Sequence, residues 1–150
     1  MKVHWLAFLI VLGAVLLAPA VSAKIIEEKD GYIVSSVDER PVFTDLASAF
    51  GSFSITQGQT AYHSTVVPSG MTAFSPVLAW GSTTNSLALR VTAPDMEFGP
   101  YYDSSDGITD GRIGLRISRA GGLTGGTWRS TVYGYRVTGS QAYTYQVGLT

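Results

Sequence analysis

Apolar and polar residues alternate with a period of two over several stretches of this chain. Leu87, Leu89 and Val91 share one parity, while Ser86, Arg90 and Thr92 share the other. Ile113, Leu115 and Ile117 repeat the pattern against Arg112, Arg116 and Ser118. Such alternation predicts β-strands with one face buried and one wet. Phe74, Pro76, Leu78 and Trp80 share a parity, as do Tyr143, Tyr145, Val147 and Leu149, and both sets are expected in a core. Phe53 and Ile55 alternate with Ser52 and Ser54, and residues 60–67 and 128–137 supply two further strands. Gln57-Gly58-Gln59, Pro68-Ser69-Gly70, Gly81 and the glycine-rich 121–126 separate these runs as turns.

Residues 24–50 read differently. Glu27-Glu28-Lys29-Asp30 predicts a solvated arm, Tyr32-Ile33-Val34 a short edge strand, and residues 45–50 one helical turn. The domain proper is expected over residues 51–150. About eight short strands at about 8–12-residue spacing, without an amphipathic helix, predict an all-β, antiparallel β-sandwich of jelly-roll type. A parallel sheet would need crossover helices that the pattern lacks.

The first 23 residues stand apart. Lys2 precedes an apolar run over residues 5–17, and Val21 and Ala23 place small side chains at the −3 and −1 positions of a cleavage site after Ala23. This predicts a secretory signal peptide over residues 1–23 and a secreted or cell-surface product. The alternative is a retained membrane anchor, since residues 5–23 carry no charge and approach the roughly 20 residues that span a bilayer.

Without Lys2, nine Lys and Arg face eleven Asp and Glu. No basic cluster is present to neutralise phosphates, so no nucleic-acid partner is expected. Cysteine is absent, and a chain of this size buries a core without disulfides. A bound ion is another source of stability for such a domain. The only asparagine, Asn85, is followed by Ser86-Leu87 and is not a glycosylation acceptor.

The densest candidate chemistry lies in Asp103-Ser104-Ser105-Asp106-Gly107-Ile108-Thr109-Asp110-Gly111. Grouped carboxylates repel unless a cation sits among them, and Ca²⁺ takes carboxylate, carbonyl and water oxygens in flexible geometry. Asp103, Asp106 and Asp110 are therefore candidate Ca²⁺ ligands, with Asp95 and Glu97 upstream as further contributors. The spacing is not that of an EF-hand. The competing reading is turn chemistry, in which aspartate side chains bond backbone N–H groups.

Residues 51–147 resemble the bacterial and archaeal pre-peptidase C-terminal (PPC-like) domain. The matching landmarks are Val77-Leu78-Ala79-Trp80, Ser86-Leu87-Ala88-Leu89-Arg90-Val91 and Ala93-Pro94-Asp95. Gly125-Gly126-Thr127-Trp128 with Val132-Tyr133-Gly134-Tyr135 resembles the closing strand of that family, and Ala142-Tyr143-Thr144-Tyr145 the last one. The resemblance implies a non-catalytic β-sandwich appended to secreted peptidases, some members of which bind calcium. Where many members carry an acidic strand start, this chain has Asn85-Ser86-Leu87-Ala88-Leu89, and no peptidase domain is present in it.

Catalysis finds little support. Beyond residue 23 the only histidine is His63, in Tyr62-His63-Ser64, and it is expected at the surface. No Gly-x-Ser-x-Gly elbow accompanies it, a zinc site lacks ligands, and the acids sit in one loop and one arm rather than as a buried glycosidase pair. A non-enzymatic module is expected. Its aromatics suggest a binding role: Tyr101, Tyr102, Trp128, Tyr133 and Tyr135 are candidates for a sugar- or peptide-stacking face, and if Trp128 points inward, Tyr133 and Tyr135 point outward, where they stack on a ligand or pack across strands. The expected partner is an extracellular protein or polysaccharide. Arg90, Arg112, Arg116 and Arg136 are expected on wet faces, where charge discourages edge pairing.

Overall fold

The computed structural model describes residues 23–37 and 48–150. The signal-peptide expectation, apart from Ala23, lies outside the described residues. Among the described residues, ten strands form two antiparallel sheets: β1 (Ile25–Lys29), β2 (Tyr32–Ser36), β3 (Ser48–Thr56), β4 (Thr60–Val67), β5 (Ala73–Ala79), β6 (Ser86–Thr92), β7 (Glu97–Tyr102), β8 (Arg112–Arg119), β9 (Gly126–Arg136) and β10 (Ser140–Leu149). One sheet has the order β1-β2-β8-β5-β10-β3, and the other β4-β9-β6-β7. This is the predicted antiparallel β-sandwich, with two strands more than the alternation indicates. Among the described residues, no helix is long and apolar enough to cross a membrane.

The two added strands have separate causes. Glu27, Glu28 and Lys29 belong to β1, not to a free arm, and β1 closes a hairpin with β2 through Asp30 and Gly31, both at positive φ (48° and 82°). Asp-Gly is the preferred pair for a two-residue hairpin whose twist matches its strands. β2 is therefore not an edge strand: it lies between β1 and β8, and Tyr32 and Val34 are buried. Residues 48–50 are strand rather than helical turn, and the expected boundary at residue 51 falls inside β3. Residues 45–47 lie outside the described residues.

β7 escapes the pattern because its period breaks. Phe98 and Tyr101 both face the core although they are three residues apart. A bulge opposite Leu89 and Val91, containing the cis Gly99–Pro100 bond, absorbs the extra residue. Proline is tolerated there because β7 is an edge strand.

The core holds the residues that the alternation places in it. Leu87, Leu89 and Val91 from β6 meet Ile113, Leu115 and Ile117 from β8, and Phe74 and Leu78 from β5. Trp128 is fully buried, packs its ring against Phe74 and Phe98, and donates its indole N–H to the Thr124 carbonyl at 2.9 Å.

Tyrosine hydroxyls tie the two sheets together. Tyr145 of β10 bonds Ser130 of β9, Tyr101 of β7 bonds Glu27 of β1, and Tyr143 of β10 meets His63 of β4. Tyr32 of β2 donates to Asp95 in the β6–β7 turn at 3.0 Å. Asp95 also accepts from Thr124 at 2.7 Å and pairs with Arg119 at 3.3 Å. Burial raises the Asp95 pKa, but the bonds from Thr124 and Tyr32, its own backbone N–H and the Arg119 charge outweigh that and hold it below the ordinary value. Tyrosine suits this role because its ring fills the core while its hydroxyl finds a partner on the facing sheet.

Candidate functional site

The outward face of the four-stranded sheet follows from what its strands bury. Leu87, Leu89 and Val91 turn inward, so Ala88, Arg90 and Thr92 turn outward on β6. On β9, Trp128, Ser130 and Val132 turn inward, which leaves Arg129, Thr131, Tyr133 and Tyr135 outside. Strand register then sets them in rows. Thr60, Tyr133, Ala88 and Tyr102 lie side by side across β4, β9, β6 and β7. Tyr62, Thr131 and Arg90 form the next row, and Ser64, Arg129, Thr92 and Glu97 the one after.

The first row makes a slot. Tyr133 and Tyr102 stand two strands apart, about 9.5 Å at the usual strand spacing. Between them is Ala88, whose single methyl forms the floor of a groove of about 330 Å³ bounded by Arg90 and Pro100. Tyr133 is 39% exposed and Tyr135 45% exposed. Tyr102 packs on Tyr135 with ring centres 4.8 Å apart, which extends the aromatic wall. Tyr62, 64% exposed, lies beside the Arg129 guanidinium, 5.8 Å from its ring centre. The expected orientation, Trp128 in with Tyr133 and Tyr135 out, is what the fold contains.

A second groove of about 600 Å³ shares Thr60, Arg90 and Thr131 with the first and reaches Tyr62, Arg129 and Glu97. A third, of about 360 Å³, shares Tyr102 and continues to Tyr135, Arg136 and the 103–109 segment. The three overlapping grooves make up a trough over the sheet, crossed by the Tyr102–Tyr135 contact between the first and the third.

The aspartate loop builds the end of that trough. Asp103 is only 4% exposed, and its carboxylate accepts the backbone N–H groups of Asp110 (3.2 Å), Gly111 (3.1 Å to each oxygen) and Arg112 (3.3 Å). Asp106 accepts the Ile108 N–H at 2.9 Å, and Asp110 is exposed. The three side chains do not converge, and among the described residues no group of three or more His, Asp or Glu is placed to hold a metal. Asp95 and Glu97 lie elsewhere, on Arg119 and Arg90 respectively. Gly111 lies against residues 81 and 82: a Cβ there would come within 2.8 Å of the Ser82 nitrogen, and its φ of 76° suits glycine alone. Its carbonyl accepts the N–H groups of Trp80 and Gly81.

His63 is a correction. It is buried, at 7% exposure, not at the surface. Its Nε2 lies 3.1 Å from the Tyr143 hydroxyl, its ring stacks on Tyr145 at 4.5 Å, and Phe53 meets it edge-on. Desolvation lowers its pKa and favours the neutral ring. The parity shared with Ala61 and Thr65 is the inward one on β4. Polar and apolar residues occupy both faces of this edge strand, so its sequence does not disclose which face is buried.

The tyrosine slot was half legible. Tyr133 and Tyr135 follow from the parity of β9, and Tyr102 is among the aromatic candidates of the sequence, whereas its neighbour Tyr101 is buried in the core and Tyr62 and Ala88 need the cross-strand register. No family model and no curated protein matches the chain. The PPC-like resemblance rests on its own motif residues alone, which fall in β5, β6, the β6–β7 turn, β9 and β10, with Trp80 and Gly125 just outside β5 and β9.

Proposed function

We propose that this chain is a secreted, non-catalytic β-sandwich module of PPC-like kind that binds carbohydrate on the outer face of its four-stranded sheet. The observation that carries this reading is the slot walled by Tyr102 and Tyr133 and floored by Ala88. Flat rings bind between aromatic side chains because both surfaces are apolar on their faces, while hydroxyls at the ring edge reach polar neighbours. Thr60, Thr131 and Arg90 supply such neighbours at the slot rim. The residues lie on paired strands, so the slot exists before ligand arrives and little ordering entropy opposes binding. Secretion rests on the signal-like residues 1–23. In this reading the 103–110 loop contributes shape to the site, and an ion is not required.

Binding to an array of extracellular polysaccharides tests the proposal. Tyr133→Ala is expected to weaken the bound glycan about tenfold or more, as truncating a central aromatic anchor does. Tyr135→Ala acts in the same direction, and both variants keep the wild-type melting temperature. Wild-type affinity in both variants would end the reading.

A further inference from the structure

We infer that the ligand is an extended acidic polysaccharide, held through its carboxylates by Arg129 and Arg136 and stacked in the slot between them. This rests on the carbohydrate-binding reading above and adds charge and chain length to it. Three arginines and two carboxylates line the trough. Both carboxylates are occupied: Glu97 pairs with Arg90 at 2.8 Å, and Asp103 is turned to backbone N–H groups. Among the described residues, neither Arg129 nor Arg136 forms an ion pair. Each instead lies beside a tyrosine ring, Tyr62 and Tyr135 respectively. A guanidinium against an aromatic face keeps its fork of N–H donors free for a carboxylate, which it binds in bidentate geometry.

The spacing sets the ligand length. Arg129 and Arg136 pair with Thr92 and Ser86, six residues apart on β6, because a bulge beside Arg136 takes up the seventh residue of β9 and keeps both arginines on the outer face; that is about 20 Å at about 3.4 Å per residue. A single sugar cannot reach both, whereas a chain lying along β9 passes Thr131, Tyr133 and Tyr135 between them. Two unopposed cations are too few for tight nucleic-acid binding, which scales with the number of phosphates neutralised. A neutral glycan would leave both guanidinium groups unused.

The test compares polygalacturonate, alginate and hyaluronate with their carboxyl-reduced forms, which keep the backbone and lose the charge. At least one acidic polymer is expected to bind about tenfold tighter than its reduced counterpart, with affinity falling as salt rises. Arg129→Gln and Arg136→Gln each weaken the acidic polymer about five- to tenfold and leave the reduced form unchanged. Glu97→Gln releases Arg90 and strengthens acidic binding. Ala88→Leu fills the slot and weakens both forms, and the exposed arginine positions give an answer even if that variant unfolds. Equal affinity for acidic and reduced polymers, with Tyr133→Ala still weakening both, overturns the acidic inference and leaves the carbohydrate reading standing. No binding to any acidic or neutral polysaccharide overturns both. A single-stranded oligonucleotide bound as tightly as the best polyuronate overturns the assignment to a polysaccharide.

Discussion

Replacing Asp103 by alanine tests whether the aspartate loop is held by its own backbone or by an ion. Its carboxylate satisfies three N–H groups, and the one on Gly111 is buried. Each buried donor left without a partner costs about 1–3 kcal/mol. The Gly111 N–H bears the full cost, while those of Asp110 and Arg112 are partly buried and recover some of it from water. The sum is about 2–4 kcal/mol. For a chain of this length that lowers the melting midpoint by about 6–20 °C, at about 3–5 °C per kcal/mol. Asp103→Asn keeps one acceptor oxygen but turns an NH₂ toward the backbone donors, so an intermediate loss is expected. The assay is thermal and urea unfolding followed by tryptophan fluorescence, in EGTA and in millimolar Ca²⁺. Wild-type midpoints should coincide in the two buffers, because the inward oxygens already carry N–H bonds. A loss below about 2 °C in Asp103→Ala refutes the clamp, taking that per-kcal/mol conversion. A Ca²⁺-dependent rise that Asp106→Ala abolishes refutes the ion-free loop and restores the calcium reading.

Three further outcomes follow from the packing. A Cβ at Gly134 would lie 2.1 Å from the Thr56 carbonyl oxygen, where the 56–59 turn exchanges bonds with β9, so Gly134→Ala should lower stability by about 3 kcal/mol or more, read by urea unfolding. Gly58→Ala in the same turn meets no atom within 4 Å and should cost only about 1–2 kcal/mol through its left-handed backbone. The lowered pKa of His63 means that the unfolded chain binds its proton first. Stability from this group is complete above the ordinary value of 6.5 and is lost as pH falls from there toward the folded value. Melting midpoints measured from pH 7.5 to 5 should fall in wild type and flatten in His63→Gln; a flat wild-type profile contradicts the buried neutral ring.

The sandwich was legible wherever one face of a strand is apolar and the other polar. β6 and β8 announce both their existence and their orientation, and β9 places Trp128 in the core and Tyr133 and Tyr135 outside it. The hairpin of β1 and β2 carried a readable signal in Asp30-Gly31, which the surrounding charge obscured. β7 carried none, because its bulge puts Phe98 and Tyr101 on one side at odd spacing. β4 mixes polar and apolar residues on both faces, and His63 was misplaced for that reason. The aspartate loop displayed its composition but not its geometry, since turn formation and ion binding draw on the same residue types.

Period and parity, which are properties of the chain alone, determined the class of fold and the inward or outward direction of most side chains. Which strands become neighbours was decided only by tertiary pairing, because each sheet joins segments distant in sequence and a period of two is silent about partners. Ala88, Tyr102 and Tyr133 come from three strands, and the slot among them exists only in the register that aligns Ala88 with both tyrosines. The same pairing set Glu97 on Arg90 and left Arg129 and Arg136 without a carboxylate among the described residues.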